Sequence, residues 1–174
     1  MKMHDTGSYR TLFAAVVAST AVMYSLTYLN SWSASDVMFS QTRLWMSLMM
    51  GSAMAVVMLI FMRPMYTNRF RNGLVVVASA VTFALSLWLV RSQQTVRDVG
   101  YLEAMVPHHS IAVLTSRRAR IHDPRVRELA DGIIATQERE ITRMQTLIDD
   151  LQRHPVPDSA ATLRPAAIPE DRWR

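Results

Sequence analysis

Three uncharged apolar runs occupy the first half of the chain, separated by short polar connections. They cover residues 11–29, 44–62 and 74–90. Each approaches the roughly 20 residues that an α-helix needs to cross the hydrocarbon core of a bilayer. Aromatic side chains that favour the membrane interface lie near the ends of the runs, and these are Trp32, Trp45, Tyr66 and Trp88. The pattern predicts three transmembrane helices and makes the lipid bilayer the first expected partner.

The second half changes to an amphipathic pattern. Apolar residues recur at helical spacing on one face of residues 95–122 and again on one face of residues 124–152. Between the two segments, Asp123 suits a helix cap and Pro124 suits the first helical position. We therefore expect an all-α protein, with a membrane region over residues 1–90 and an antiparallel helical hairpin over residues 91–152.

Two further expectations concern the hairpin and the end of the chain. Two helices cannot bury two apolar faces well on their own, so we expect two copies of the hairpin to dimerise into a four-helix bundle. Residues 153–174 contain four prolines and no periodicity, which predicts a disordered tail.

The loop charges predict an orientation. The connection after the second run carries Arg63, Arg69 and Arg71, and the positive-inside rule places such a loop in the cytoplasm. The N-terminus is then inside and residues 91–174 are outside, which fits a bacterial inner membrane with the hairpin facing the periplasm or the cell exterior. The first run could instead be a cleaved signal peptide, although its length favours a retained helix. Both alternatives leave the hairpin outside.

Composition narrows the chemistry. The net charge of +5 is spread over the chain, with no concentrated basic face of the kind that nucleic acid requires. The chain has no cysteine, so disulfides, thiolate metal sites and cysteine nucleophiles are excluded. Its 13 methionines leave the thioether as the soft ligand that remains. A methionine recurs at every fourth residue from Met46 to Met62, and we interpret that stripe as packing in preference to an ion path.

The first hairpin helix contains an unusual cluster. Pro107 interrupts its apolar pattern, at a cost of about 3 kcal/mol in a helix interior, and His108 and His109 follow directly. Folding the hairpin about Asp123 brings His109 level with Gln137. Met105 and Met144 lie one and two turns away from that layer. Imidazole with thioethers suits Cu(I) or Ag(I). A hydrogen bond between His109 and Gln137 in a metal-free core explains the spacing equally well.

These residues also resemble a known family. One half of the pattern is Asp98, Tyr101, Met105, His108, His109 and Ala112, and the other half is Gln137, Glu140, Ile141 and Met144. Together they resemble the family called domain of unknown function 305, whose relatives include CopM-like periplasmic copper-binding proteins with a ferritin-like helical fold. Some members carry a methionine-rich membrane region. The resemblance implies metal binding by Met105, His108, His109 and Met144, with Gln137 and Glu140 nearby.

The sequence leaves two main functions open. The first is a membrane-anchored, extracytoplasmic protein that binds copper, with Cu(I) favoured, or silver, in metal homeostasis or tolerance. The alternative is a structural or partner-binding hairpin without metal. A di-iron oxidase would need Glu-x-x-His pairs, which the chain lacks, so we expect no enzyme.

The predicted orientation has a direct test. A periplasm-active reporter fused after residue 152 should be active, because the Arg-rich loop places that end outside. The matched control is the same reporter fused within the Arg-rich loop, which should be inactive. A cytoplasmic signal from the fusion after residue 152 would contradict the orientation.

Overall fold

The computed structural model describes residues 9–157 and 159–163. It contains five α-helices and, among these residues, no strand. In chain order the helices are α1 (Tyr9–Leu26), α2 (Gln41–Phe61), α3 (Arg69–Ser92), α4 (Asp98–Arg118) and α5 (Pro124–Arg153). Two short 3-10 turns, Ala34–Asp36 and Arg63–Met65, lie in the connections that precede α2 and α3.

The all-helical class is confirmed. Helices α1, α2 and α3 are long and apolar enough to cross a membrane, and they contain most of the three predicted runs. Only 6%, 28% and 17% of the residues in the apolar windows of α1, α2 and α3 are buried within the protein, which leaves their outer faces available to lipid or to another chain. The hairpin helices end close to their predicted limits, although α4 stops at Arg118 instead of residue 122.

Helix ends follow from local capping groups. The Asn68 side chain accepts a hydrogen bond from the backbone N–H of Arg71 and caps α3, and Asp123 accepts one from Arg125 and caps α5 as predicted. Helix α3 is followed by its C-terminal capping residue, Gln93, which adopts a left-handed conformation with φ of 53°. These caps fix where the adjoining connections begin or end.

Two opposite ends of the molecule can be recognised from contacts between connections. At one end, the Tyr9 hydroxyl donates to Asn72 Oδ1 over 2.7 Å and the Asn72 amide donates to the Tyr66 carbonyl. At the other end, Thr42 contacts Gln93 over 3.4 Å. The connection between α1 and α2 therefore lies at the same end as the hairpin, and the Arg-rich connection lies at the opposite end.

Helix α2 is the centre of the first three helices, since α1 and α3 both pack against it. Three small residues of α2 that recur every fourth position are all buried, and these are Ser47, Gly51 and Ala55. At Gly51 the contact with α1 is so close that an added Cβ would collide with Thr20 Oγ1 and lie 3.3 Å from Thr20 Cβ. Small residues at a helix crossing allow such an approach.

The methionine stripe of α2 divides into two parts. Met58 and Met62 pack against a buried cluster of Leu12, Leu59 and Tyr66, as the packing interpretation predicts. Met46 and Met50, near the other end of the helix, are exposed to the surroundings.

The hairpin has its own core. Val106 and Val113 of α4 are fully buried against three residues of α5, which are Ile141, Met144 and Ile148. Met38, from the connection between α1 and α2, packs against the same cluster. The hairpin is therefore not an isolated unit, because the connection between α1 and α2 supplies part of its core. Of the predicted disordered tail, residues 158 and 164–174 lie outside the described residues.

The close contact at Gly51 generates a stability prediction. Gly51→Ala should push α1 away from α2 and destabilise the protein by about 1–3 kcal/mol, the usual cost of overpacking. The matched control is Gly73→Ala in α3, where an added Cβ meets nothing within 4 Å. Unfolding of the detergent-solubilised protein in sodium dodecyl sulfate would measure both. Equal stability of the two variants would contradict the close packing, and Thr20→Gly should restore stability to Gly51→Ala.

Candidate metal site on the hairpin

The six candidate residues lie on the two hairpin helices. Helix α4 carries Met105, His108 and His109, and α5 carries Gln137, Glu140 and Met144. Helix α4 continues through Pro107 as one helix, so the histidines keep the angular offset of about 100° that adjacent helical residues have. Their ring centroids are 6.2 Å apart and the ring planes are inclined by 63°.

His109 is the candidate with the most defined surroundings. Its Nδ1 lies 3.1 Å from Glu140 Oε2, and the imidazole side chain is 14% exposed whereas the carboxylate is 49% exposed. Burial lowers the pKa of His109 below its ordinary value, and this effect outweighs the opposing attraction of Glu140. The imidazole is therefore neutral at neutral pH.

A neutral imidazole facing a carboxylate keeps its proton on the nitrogen that faces it. The Glu140 carboxylate lies 3.1 Å from Nδ1 without the alignment of a hydrogen bond, and its negative charge favours the tautomer with the proton on Nδ1, which leaves the Nε2 lone pair available. Metal-binding histidines commonly have such an arrangement, in which a carboxylate orients the ring from the side opposite to the ion. In this geometry Glu140 lies on the Nδ1 side of the ring, away from the Nε2 lone pair.

The two methionines belong to the hairpin core. Met144 is buried within the cluster around Val106, and Met105 is partly buried against the same cluster. Both thioethers thus lie on the inner side of the hairpin, on the helices that carry the His109–Glu140 pair.

The remaining two candidates lie further out. His108 is exposed to solvent. Gln137 is half-buried and lines a shallow groove along α5 with residues that include Ile133 and Thr136. The structure brings Glu140 to His109, in the place where the sequence predicted Gln137. Because residues three apart share a face of a helix, the predicted face was right and the level differs by about one turn.

A hard-metal centre is not evident in these residues. Over residues 9–157 and 159–163, no three His, Asp or Glu side chains come together closely enough to hold a metal ion. The imidazole and thioether ligands that the sequence predicts here are suited to soft monovalent ions and poorly suited to Zn(II).

Sequence reasoning missed a second group of residues beside the site. Asp36, in the connection between α1 and α2, is only 5% exposed. Its Oδ2 accepts a 2.6 Å hydrogen bond from Ser110, the residue after His109. Its Oδ1 receives a long contact of 3.5 Å from the Gln145 amide, the residue after Met144. The available signal was Asp36 itself, the one carboxylate in that connection, which the sequence analysis did not connect with the hairpin.

Comparisons with known proteins agree with the sequence resemblance. Residues 98–171 match the model of a family described as a domain of unknown function, DUF305. An uncharacterized protein of Acanthamoeba polyphaga mimivirus is 30% identical to this chain over 139 residues, covering 78% of the chain and 89% of that protein. The chain belongs to the DUF305 family. No solved structure matches it.

The similarity to the viral protein is not confined to the hairpin. An aligned stretch that covers 78% of this chain includes α2 and α3 wherever it begins. The similarity to this relative therefore extends beyond the family domain into the apolar half of the chain.

The environment of His109 predicts a pH dependence of stability. Because its pKa in the folded protein is lower than the ordinary 6.5, the unfolded chain takes up a proton first as the pH falls. Stability should therefore decrease below about pH 6.5 until the folded-state imidazole also becomes protonated. Thermal unfolding between about pH 7.5 and pH 5 would measure this slope.

The control for this measurement is His109→Asn, whose amide has no titration in that range. The difference in slope between the two proteins isolates His109 from the other groups that titrate. Identical slopes would contradict a lowered pKa.

Proposed function

We propose that the protein is a membrane-anchored binder of a soft metal ion, Cu(I) or Ag(I), and serves metal homeostasis or tolerance. The hairpin faces the outside of a bacterial inner membrane and α1, α2 and α3 form the anchor. The single observation that carries this proposal is the largely buried, neutral imidazole of His109, with Glu140 Oε2 3.1 Å from its Nδ1, beside a core that contains thioethers.

The electrostatics of this position favour a monovalent ion. Burying a charge is costly unless charged or polar groups compensate it. Among the described residues, the carboxylate that lies against His109 is Glu140, which is half exposed and faces Nδ1. A singly charged, weakly hydrated ion that bonds to sulfur and nitrogen needs less compensation than Zn(II) or Fe(II).

A second candidate function has an observation of its own. Four large apolar or aromatic side chains of the hairpin are exposed, and these are Tyr101, Val126, Leu129 and Leu147. Exposed apolar residues on an amphipathic helix favour a partner, and a second hairpin that completes a four-helix bundle is the simplest one. The arginine-rich tip of the hairpin, formed by the end of α4 and the start of α5, is a weaker candidate surface. Three of its arginines, Arg117, Arg125 and Arg127, already form ion pairs.

The test of metal binding uses the full-length protein in detergent. Ag(I) or Cu(I) affinity would be measured by competition with a chelator for His109→Ala, Met105→Leu and Met144→Leu. Each change should weaken binding about tenfold or more. The loss of affinity should be largest for His109→Ala, because this change removes the nitrogen donor. Leucine conserves the volume of methionine, so the core stays filled.

Two further variants sharpen the interpretation. Glu140→Gln should weaken binding by about 10- to 100-fold, the usual effect of removing a carboxylate that orients a histidine ligand. The matched control is His154→Ala, which removes an exposed histidine that pairs with Asp150 and should change nothing.

If His109 is only a core residue, His109→Ala should lower the free energy of unfolding by about 1–3 kcal/mol and leave the metal affinity unchanged. That outcome would reject the proposal and favour the partner-binding function.

A further inference from the structure

The connection between α1 and α2 reaches the hairpin through one buried carboxylate, that of Asp36. Asp36 accepts a 2.6 Å hydrogen bond from Ser110 Oγ, and the same Oγ accepts one of 2.7 Å from the backbone N–H of Trp32. Two guanidinium groups at the end of α4 lie over the Trp32 ring, at 5.1 Å for Arg117 and 5.9 Å for Arg118. The connection is thus fixed to α4 at two levels.

These contacts fall where α4 is intrinsically weakest. Pro107 has no N–H, so the carbonyl of Glu103 loses its helical hydrogen bond, and an interior proline costs a helix about 3 kcal/mol. Yet Val106, Pro107 and Ser110 are among the most completely buried residues of the described chain. Tertiary contacts therefore hold the helix at the level where its own hydrogen bonding is incomplete.

The same contacts lie beside the candidate ligands. Ser110 directly follows His109 in α4, and Gln145 directly follows Met144 in α5. Asp36 contacts both Ser110 and Gln145, at 2.6 Å and 3.5 Å. Asp36 thus contacts the residue after His109 on α4 and the residue after Met144 on α5. It links the proposed nitrogen ligand and the proposed sulfur ligand through these neighbours.

We propose that Asp36, acting through Ser110 and Gln145, is a positioning residue that sets the relative placement of His109 and Met144 for a soft metal ion. This inference rests on the proposed function. It assigns part of the site to the connection between α1 and α2, so the hairpin alone is an incomplete binding unit. Linkage requires the converse effect, in which a bound ion stabilises the docked connection by the same factor that docking adds to the affinity.

The experiment uses the full-length protein in detergent and two measurements on each variant. The first is Ag(I) affinity by competition, and the second is hydrogen exchange of the ion-free protein over residues 105–113. The variants are Asp36→Ala, which removes the acceptor, Ser110→Ala, which removes the donor with little change in volume, and Asp36→Asn, whose amide oxygen can still accept from Ser110. Asp150→Asn, an exposed acid near the end of α5, is the control.

Asp36→Ala and Ser110→Ala should each bind Ag(I) about tenfold or more weakly and exchange faster over residues 105–113. Asp36→Asn should restore most of the affinity, and the control should match the unaltered chain. Added Ag(I) should slow exchange at residues 32–38 in the unaltered chain.

Three results would overturn the inference. Faster exchange with unchanged affinity in Asp36→Ala would make the docking purely structural. An Asp36→Asn variant as weak as Asp36→Ala would assign the effect to charge and not to position. If the unaltered chain binds neither Ag(I) nor Cu(I), the proposed function itself fails, and the exchange measurement still shows separately whether Asp36 docks the connection.

Discussion

The constraint on which the arrangement of this molecule depends is the burial of the Asp36 carboxylate. An acid that is 5% exposed loses most of its hydration, and it is tolerated only where hydrogen bonds replace the lost water. The Ser110 hydroxyl supplies the short bond, so the connection between α1 and α2 must lie against α4. That requirement joins two parts of the chain that are 74 positions apart and determines which side of the hairpin is covered.

The position of this connection depends in turn on the helices that hold it. The close approach at Gly51 fixes α1 against α2. At the end of α1, Arg43 donates to the Thr27 carbonyl over 2.5 Å and stacks over the Tyr28 ring. The connection thus begins and ends at two helices that are packed closely together. Packing of α1 against α2 therefore helps to place the connection against the hairpin.

The parts of the fold that the sequence predicted are those with local causes. Uncharged runs predict α1, α2 and α3, and the 3.6-residue period with a cap at Asp123 predicts the hairpin. The predicted partner of His109 across the hairpin was off by about one turn of α5. The register of a hairpin depends on how its five connecting residues fold, which the helical period does not determine. Asp36 could not be placed at all. Its role depends on a contact with Ser110, and a single short polar connection has no periodicity that would indicate such a partner.

The candidate site also explains why a proline is tolerable within α4. Pro107 removes one backbone hydrogen bond, at the Glu103 carbonyl, and contacts made by Asp36 and by the core around Val106 support the helix close to this level. In the proposed site, the placement of His109 depends on Glu140 on one side and on the docked connection on the other. The hairpin and the membrane-side connection therefore act as one binding unit in this proposal.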